Sequence, residues 1–280
     1  MKTKTKQKEK VFNIVVYLFL IFMVLVSIGP FVYVILTALK SPGQIYDPNE
    51  IFPSHITFEN FKGVLFNSRF PRYFFNSVYI TVVTMCICMV LSTMAAYGLT
   101  RYQILGANTL KMTILMTRMF PGILLCLPFF IIMKKLGLID SHLGLIMLYC
   151  SFTLPFAIWN MCAFFSQLPW ELEEAAFIDG CTRLSAFFRV MIHVAKPGMF
   201  VTALFSFMSS WDEYMYSLTF INTPEKKTVQ VGMKDFVGEY GTEWGMMMAA
   251  VALSLIPALV FFAIVQKHLV TGLSSGAVKG

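Results

Sequence analysis

Two neighbouring acids, Asp212 and Glu213, lie in an otherwise apolar stretch, between Trp211 and Tyr214. Carboxylates inside an apolar segment are costly, usually face the interior of a helix bundle, and are functional by default. The carboxylates offer hydrogen bonds, and the two neighbouring aromatic rings offer an apolar face, to a polar ligand. We therefore take Trp211, Glu213 and Tyr214 as candidate residues of a ligand pathway, with helix packing or gating by Glu213 as the alternative.

Residues 171–180, ELEEAAFIDG, contain a second concentration of acids. Pro169 suits the first turn of a helix, and three glutamates follow in that turn, where they complement the positive end of the helix dipole. These glutamates are Glu171, Glu173 and Glu174. The Asp179-Gly180 step ends the helix, because glycine readily adopts the left-handed conformation of a helix end. The sequence thus predicts a short acidic helix.

The middle of this helix carries Ala175 and Ala176, which favour helix and leave one face without large side chains. A small, flat patch beside Glu174 is suited to docking into a groove of another protein. Thr182 can cap a second helix that must end before Pro197, which gives a helix, a turn and a helix. The acids would look the same if they only solvated a loop, so these residues alone leave both interpretations open.

Other chemistry finds little support in the sequence. No G-x-x-x-x-G-K-[ST] stretch is present to cradle a nucleotide, and no paired His/Glu or His/Asp set suggests hydrolysis. The four histidines are scattered, and the six cysteines show neither C-x-x-C nor a ligand spacing with histidine. We therefore expect no catalytic residues, no metal site, no disulfide framework and no cofactor on this chain.

The elements that position these residues are membrane helices. The 280 residues are 57% hydrophobic and 13% charged, about half the charged share of soluble domains. Six stretches are long and apolar enough to span a bilayer, which takes about 20 helical residues. They are residues 11–39, 73–100, 112–133, 141–165, 197–220 and 244–266. Within these stretches, the charged residues are the two acids of the fifth stretch and Arg118 of the third. We expect Arg118 to reach lipid headgroups or to pair with an acid of the 171–180 region.

Both termini are predicted to be cytoplasmic. Lysines alternate through residues 1–10, basic residues next to spans favour the cytoplasm, and an even number of spans returns the chain to the same side. The net charge of +7 fits lysines that set topology and contact anionic lipid, rather than nucleic acid. The predicted chain begins with a basic N-terminus (1–10), a first transmembrane helix (11–39) and an outer loop (40–72). A core with five transmembrane helices (73–268) and a tail (269–280) follow. The core includes an inner loop (166–197) and an outer loop (222–243).

The inner loop reads LPWELEEAAFIDGCTRLSAFFRVMIHVAKP and resembles the EAA loop of inner-membrane permeases of binding-protein-dependent ABC importers. The matching residues are Glu174, Ala175, Ala176, Asp179, Gly180, Phe187 and Pro197. His193 departs from the pattern, because it stands where the family usually has a proline. The segments MFPGILLCLPFFIIMKKLGLIDSHLGLIMLY, SWDEYMYSLTFI and GLSSGAVKG are similar to the carbohydrate branch, above all to the maltose-type, MalG-like second permease, although that family typically has WNE where Asp212 replaces the asparagine.

The resemblance implies an all-α protein of the bacterial inner membrane, with six transmembrane helices in the MetI-like fold. It implies a sugar or oligosaccharide pathway shared with a second, MalF-like permease and supplied by an extracytoplasmic binding protein, which outer loop 222–243 would approach. A cytoplasmic ATPase dimer would hold ATP and Mg, and the tail would reach it. The implied ATPase-coupling residues are Glu174, Ala175, Ala176, Asp179 and Gly180. An ion-gradient-driven secondary transporter is the alternative, weakly supported by one acidic pair and no evident internal repeat.

Overall fold

The apolar stretches fold into helices, because a helix satisfies the backbone N–H and C=O groups within its own segment. The computed structural model describes residues 2–47, 49–102, 104–238 and 241–276, and within them the side chains from residue 12 to residue 267. In chain order the elements are α1 (Lys2–Ala38), α2 (Pro42–Ile45), α3 (Glu59–Phe66), α4 (Phe70–Arg101), α5 (Ala107–Met116), α6 (Gly122–Lys135), α7 (His142–Gln167), α8 (Glu171–Ile178), α9 (Arg183–Ala186), α10 (Ile192–Val194), α11 (Lys196–Trp211), α12 (Met215–Phe220), α13 (Val229–Gly232), the antiparallel strands β1 (Val237–Gly238) and β2 (Gly241–Thr242), and α14 (Trp244–Gly276).

Four of the six predicted spans are confirmed as single helices. Helices α1, α4, α7 and α14 are each long and apolar enough to cross a membrane, and two further spans result if each of two bent helix pairs crosses as one. Helix α1 begins at Lys2, so the basic segment predicted at residues 1–10 continues into the first span without a break. Met1 and, in the predicted tail, residues 277–280 lie outside the described residues. The side of the membrane on which each terminus lies stays a prediction.

The third predicted span, residues 112–133, is a bent pair of helices and not one straight helix. Helix α5 and one 3-10 turn end at Met119, α6 begins at Gly122, and the two parts meet at 97°. The cause is Pro121, which has no N–H to donate and disfavours helical geometry in the residue before it. Phe120 is accordingly extended, with φ −73° and ψ 125°. The chain therefore bends sharply inside an apolar segment.

The fifth predicted span, residues 197–220, is interrupted as well. Helices α11 and α12 are separated by residues 212–214. The Glu213 carboxylate accepts hydrogen bonds from the backbone N–H groups of Tyr216 (2.7 Å) and Ser217 (3.1 Å). The first N–H groups of a helix have no partner within that helix, so this carboxylate stabilises a new helix start. An acid in the apolar stretch thus caps the helix that begins after the interruption.

The chain is divided into two units, of which the first comprises residues 1–70 and 233–255. Within the first unit, the side-chain amide of Asn60 donates hydrogen bonds to the carbonyls of Ala38 (2.9 Å) and Lys40 (2.7 Å). The last carbonyls of a helix lack partners within the helix. Asn60 on α3 therefore closes the end of α1.

The second unit comprises residues 71–232 and 256–280. One apolar cluster joins α4 and α7 to the inner loop around Phe165 and Phe187. Another joins α4 and α7 to α6 and α12 around Tyr149. Helices α4 and α7 belong to both clusters, so they form the frame on which the inner loop and the two broken spans are mounted.

A hydrogen-bonded loop fixes the chain just before α7. The Asp140 carboxylate accepts from the N–H groups of Asn222 and Thr223 (2.9 Å each), from the Thr223 hydroxyl (2.6 Å) and from Nζ of Lys226 (3.0 Å). Partial burial alone would raise the pKa of Asp140, but these donors outweigh it and hold the pKa well below its usual range. The carboxylate therefore stays ionised near neutral pH and ties residues 222–226 to the start of α7.

The contact between α7 and α11 depends on Gly198. A Cβ atom at this position would lie 2.3 Å from Cγ of Phe164, so Gly198→Ala must push the two helices apart. We expect the substitution to lower the free energy of unfolding by about 1–3 kcal/mol, measured as a lower melting temperature in detergent. Gly29→Ala is the control, because no described atom lies within 4 Å of a Cβ built there. Equal melting temperatures for the two variants would contradict the close contact.

Candidate functional site

The acidic helix predicted at residues 171–178 is present as α8, and it ends as expected. The glutamates occupy its first turn. At its end, Gly180 has φ +81°, and the N–H groups of Gly180 and Cys181 donate to the carbonyls of Phe177 (3.0 Å) and Ala176 (2.9 Å). This pair of bonds is the Schellman arrangement, which satisfies the last carbonyls of a helix and requires a residue in the left-handed region. The glycine is therefore needed for its conformation.

The second half of the inner loop leads directly into the fifth span. The Thr182 hydroxyl caps α9 by accepting from the N–H three residues further on (3.3 Å), as the sequence predicted. The chain stays helical through a π turn at residues 187–191 and through His193, then bends by 75° at Ala195 into α11. Pro197 falls in the first turn of α11, where a missing N–H removes no helical hydrogen bond.

One side of α8 is exposed, and we call its residues Glu171, Glu174, Ala175 and Ile178 the coupling face. They recur at spacings of three and four residues, so they share one side of the helix. Ile178 is 86% exposed, which makes it the most accessible apolar side chain of α8. Ala176 is buried, because it lies on the opposite side, toward the rest of the chain. The expected flat alanine patch is thus reduced to Ala175.

The remaining predicted coupling residues, Asp179 and Gly180, are exposed at the end of α8. Leu184 in the following helix is also largely exposed. Contiguous exposed apolar side chains rimmed by polar ones mark interaction sites. The loop therefore offers a mixed surface in which carboxylates surround Ala175 and Ile178.

The buried side of α8 carries Glu173, which sequence reasoning grouped with the other first-turn acids. Its Oε1 lies 3.5 Å from Nε of Arg101, the last residue of α4, and the two side chains are 4% and 3% exposed. Nη2 of Arg101 donates to the carbonyls of Phe165 (3.0 Å) and Leu168 (2.8 Å). In the sequence, Arg101 is only a basic residue at the end of a span, where the preference of such residues for the cytoplasmic side already explains it. Nothing in the sequence therefore indicates this ion pair.

A cavity of about 940 Å³ lies in the second unit, where the third and fifth spans are broken. Its wall is mainly apolar. The polar side chains that reach it are Thr117, Arg118, Cys150, Ser151, Glu213 and Tyr216. Irregular backbone at membrane depth is tolerated where it lines a cavity, and interrupted helices of this kind build the binding sites of many transporters. The cavity is therefore the place in the described chain where a polar molecule can meet the interrupted spans.

Arg118 lies at this cavity rather than beside the inner loop. Its Nη1 donates a hydrogen bond to the carbonyl of Phe152 (2.7 Å). This carbonyl lies within α7, three residues before Pro155. The expected pairing of Arg118 with an acid of the 171–180 region is therefore corrected: the contact seen is to a backbone carbonyl.

The structure separates the three residues predicted to line a pathway. Glu213 reaches the cavity wall. Trp211 is buried, and its ring centroid lies 6.2 Å from that of Phe74 and 5.8 Å from that of Phe207. Tyr214 is 39% exposed and is not part of the cavity lining. The pathway role of Glu213 stays a prediction, and Trp211 packs in the apolar interior.

Tyr216 was missed by the sequence reasoning, and it holds the two broken spans together. Its hydroxyl donates to the carbonyl of Gly122 (3.1 Å) at the start of α6. Its ring stacks on Phe152, with centroids 5.7 Å apart and planes 12° from parallel. The available signal was its position three residues after Glu213, which becomes a neighbour of the carboxylate once a new helix starts there.

Long apolar helices, two bent spans around a cavity and an exposed helix–turn–helix between spans define an α-helical, multi-pass membrane transport subunit. In the described part of the chain, no group of three or more His, Cys, Asp or Glu side chains is placed to hold a metal ion. Residues 89–275 match the family described as binding-protein-dependent transport system inner membrane component. The chain belongs to this family. It is a permease subunit of the inner membrane and not an enzyme in its own right.

Individual relatives extend the similarity over nearly the whole chain. The trehalose transport system permease protein SugB of Mycobacterium tuberculosis is 36% identical over 253 residues, which are 90% of this chain and 92% of that protein. The trehalose/maltose transport system permease protein MalG of Thermococcus litoralis is 33% identical over 264 residues, 93% of this chain and 94% of that protein. The crystal structure of a bacterial ABC transporter involved in the import of the acidic polysaccharide alginate matches with a TM-score of 0.81 and 25% identity, over 93% of this chain and 97% of that chain. The expected MetI-like permease fold is thereby confirmed.

Proposed function

We propose that this chain is one of two permease subunits of an ATP-driven importer for a sugar or oligosaccharide. Two of the relatives are named for trehalose or maltose transport, and the sequence resembles the carbohydrate branch. The second permease is MalF-like, an extracytoplasmic binding protein delivers the sugar, and a cytoplasmic ATPase dimer holds ATP and Mg. The observation that carries the proposal is the coupling face, which is exposed on a helix whose opposite side is anchored by a buried ion pair.

The coupling face has the chemistry of a docking surface. Ala175 allows a groove wall to approach the helix closely, and Ile178 beside it supplies apolar area that is exposed in the isolated chain. Glu171 and Glu174 flank these residues and can pair with basic side chains at the rim of a groove. The four residues would therefore receive the force that the ATPases generate.

The cavity is the proposed share of this chain in the translocation pathway. Ligand sites are mostly apolar with a few placed polar groups, and sugars combine polar edges with apolar faces. The wall provides apolar surface together with Ser151, Glu213 and the Tyr216 ring. The second permease would complete the enclosure.

Two further contacts of the proposed assembly follow from the resemblance. Outer loop 222–243 would face the docked binding protein, and the tail 269–280 would reach the ATPases. The loop is described except for residues 239 and 240, and it contains α13 and the β1–β2 hairpin. The last residues of the tail, 277–280, lie outside the described residues.

Ala175→Trp tests the docking role of the coupling face. The indole would cover the exposed side of α8 without touching Glu173 or Ala176 on its buried side. We expect the variant to insert and keep its melting temperature, but to lose the ATPase during purification and to take up sugar at least about tenfold more slowly, which corresponds to about 1.4 kcal/mol of lost docking free energy. Uptake is measured with radiolabelled trehalose or the disaccharide that wild-type cells accumulate.

The matched control is Leu105→Trp in the loop between α4 and α5. Leu105 is fully exposed and lies on the same predicted side of the membrane, so this indole should change neither ATPase retention nor uptake. If the Ala175→Trp protein keeps the ATPase and full sugar uptake, the docking role of the coupling face is contradicted.

Glu213→Gln tests the pathway role of the cavity. The amide oxygen can still accept one of the two α12 N–H groups, whereas the charge at the cavity wall is lost. We expect uptake to fall about tenfold, the effect of losing one hydrogen bond to a charged group worth about 1.5 kcal/mol, with a small change in melting temperature. Asp212→Asn is the control, because this neighbouring carboxylate is exposed and is not part of the cavity lining. Equal uptake by both variants would remove Glu213 from the pathway.

A further inference from the structure

Arg101 joins three helices at one end of the second unit. It is the last residue of α4. Its guanidinium carbon lies 4.5 Å from the centroid of the Trp170 ring, directly before α8. Its Nη2 donates to the carbonyls of Phe165 (3.0 Å) and Leu168 (2.8 Å) at the end of α7. A single side chain thus contacts the ends of α4 and α7 and the beginning of α8.

The contacts to α7 have a clear physical reason. The last carbonyls of a helix have no N–H partner within the helix and carry its negative end, so a cation placed there is favourable. The planar guanidinium reaches two such carbonyls from one nitrogen and still presents Nε in another direction. Lysine offers a point charge that cannot make these contacts with the same geometry.

The contact to α8 is a buried ion pair. Nε of Arg101 and Oε1 of Glu173 lie 3.5 Å apart, with both side chains almost completely buried. Neither atom has a hydrogen-bond partner among the described residues. In a buried pair, removing one partner leaves the other charge uncompensated, so the two are held to each other far more firmly than exposed ions are.

The positions of these residues connect the coupling face with the cavity. Glu173 lies on the buried side of α8, opposite Ala175 and Ile178. Helices α4 and α7, which Arg101 holds, both contribute to the cavity wall, with Ile87 on α4 and Ser151 on α7. Arg101 thus belongs to one helix of the cavity wall, is bonded to the other, and contacts α8.

We infer that Arg101 is a positioning residue that links α8 to α4 and α7, so that movement of the coupling face is passed to the two helices of the cavity wall. The link rests on the proposed function, since it transmits force only if an ATPase acts on the coupling face. Apolar packing also attaches α8, and Arg101 adds a charged contact to it while its two carbonyl hydrogen bonds orient the guanidinium at the end of α7. Loss of the link should uncouple hydrolysis from transport while docking persists.

The test uses the complete importer in proteoliposomes, with the chain carrying Arg101→Met. We expect the ATPases to remain bound, because the coupling face is unchanged, and ATP hydrolysis to continue. The amount of sugar transported per ATP hydrolysed should fall at least tenfold. This ratio is measured per assembled complex, so a variant that merely folds less well would not change it.

Two further variants keep the inference testable if Arg101→Met does not insert. Arg101→Lys retains the positive charge beside Glu173 but not the guanidinium geometry that reaches the carbonyls of Phe165 and Leu168. We expect transport per ATP to fall less than in Arg101→Met. Glu173→Gln removes the charge on the other side of the pair. In the double variant Arg101→Met with Glu173→Gln, the loss should be no greater than in Arg101→Met alone, because both substitutions break one interaction.

Arg72→Met is the matched control, because Arg72 is an exposed arginine at the opposite end of the same helix, and it should leave transport per ATP unchanged. A wild-type ratio in Arg101→Met, or loss of the ATPases from the inserted variant, would overturn the inference. If the wild-type importer retains no ATPase or transports without ATP, the proposed function fails instead, and the link fails with it.

Discussion

Every backbone N–H and C=O group of a membrane-embedded chain needs a hydrogen-bond partner, since lipid supplies none. Unbroken helices meet this demand on their own. Polar side chains supply several such partners in the described chain: Glu213 accepts from N–H groups at the start of α12, Arg118 donates to the carbonyl of Phe152, Tyr216 donates to that of Gly122, and Arg101 donates to carbonyls at the end of α7. Together with Pro121, which breaks the third span, they mark where the described chain departs from straight spans.

The same side chains are also the ones that give the molecule its functional features. Glu213, Arg118 and Tyr216 satisfy the broken spans and at the same time bring polar atoms to an apolar cavity. Arg101 satisfies the end of α7 and pairs with Glu173 of the acidic helix. The same side chains thus satisfy backbone groups and place polar atoms at the cavity and at the inner loop.

Some of this architecture is predictable from the sequence, because it rests on local rules. Apolar length identifies the spans, and Thr182 and Gly180 mark the turn between the helices of the inner loop. The remainder depends on tertiary contacts. Trp211 is drawn into the interior, and the pairing of Glu173 across the fold leaves no trace in the local pattern, whereas the break before Pro121 follows from the proline itself.

We propose that energy enters this permease from an ATPase at the coupling face. The interrupted spans beside Glu213 would also suit a transporter driven by an ion gradient, so the energy source is the direct test. Cells that express the chain with its partners are treated with ionophores that collapse the ion gradients while ATP is maintained, and separately depleted of ATP while the gradients are kept. The claim predicts that sugar uptake continues in the first case and stops in the second; uptake that follows the gradient with ATP intact would contradict it.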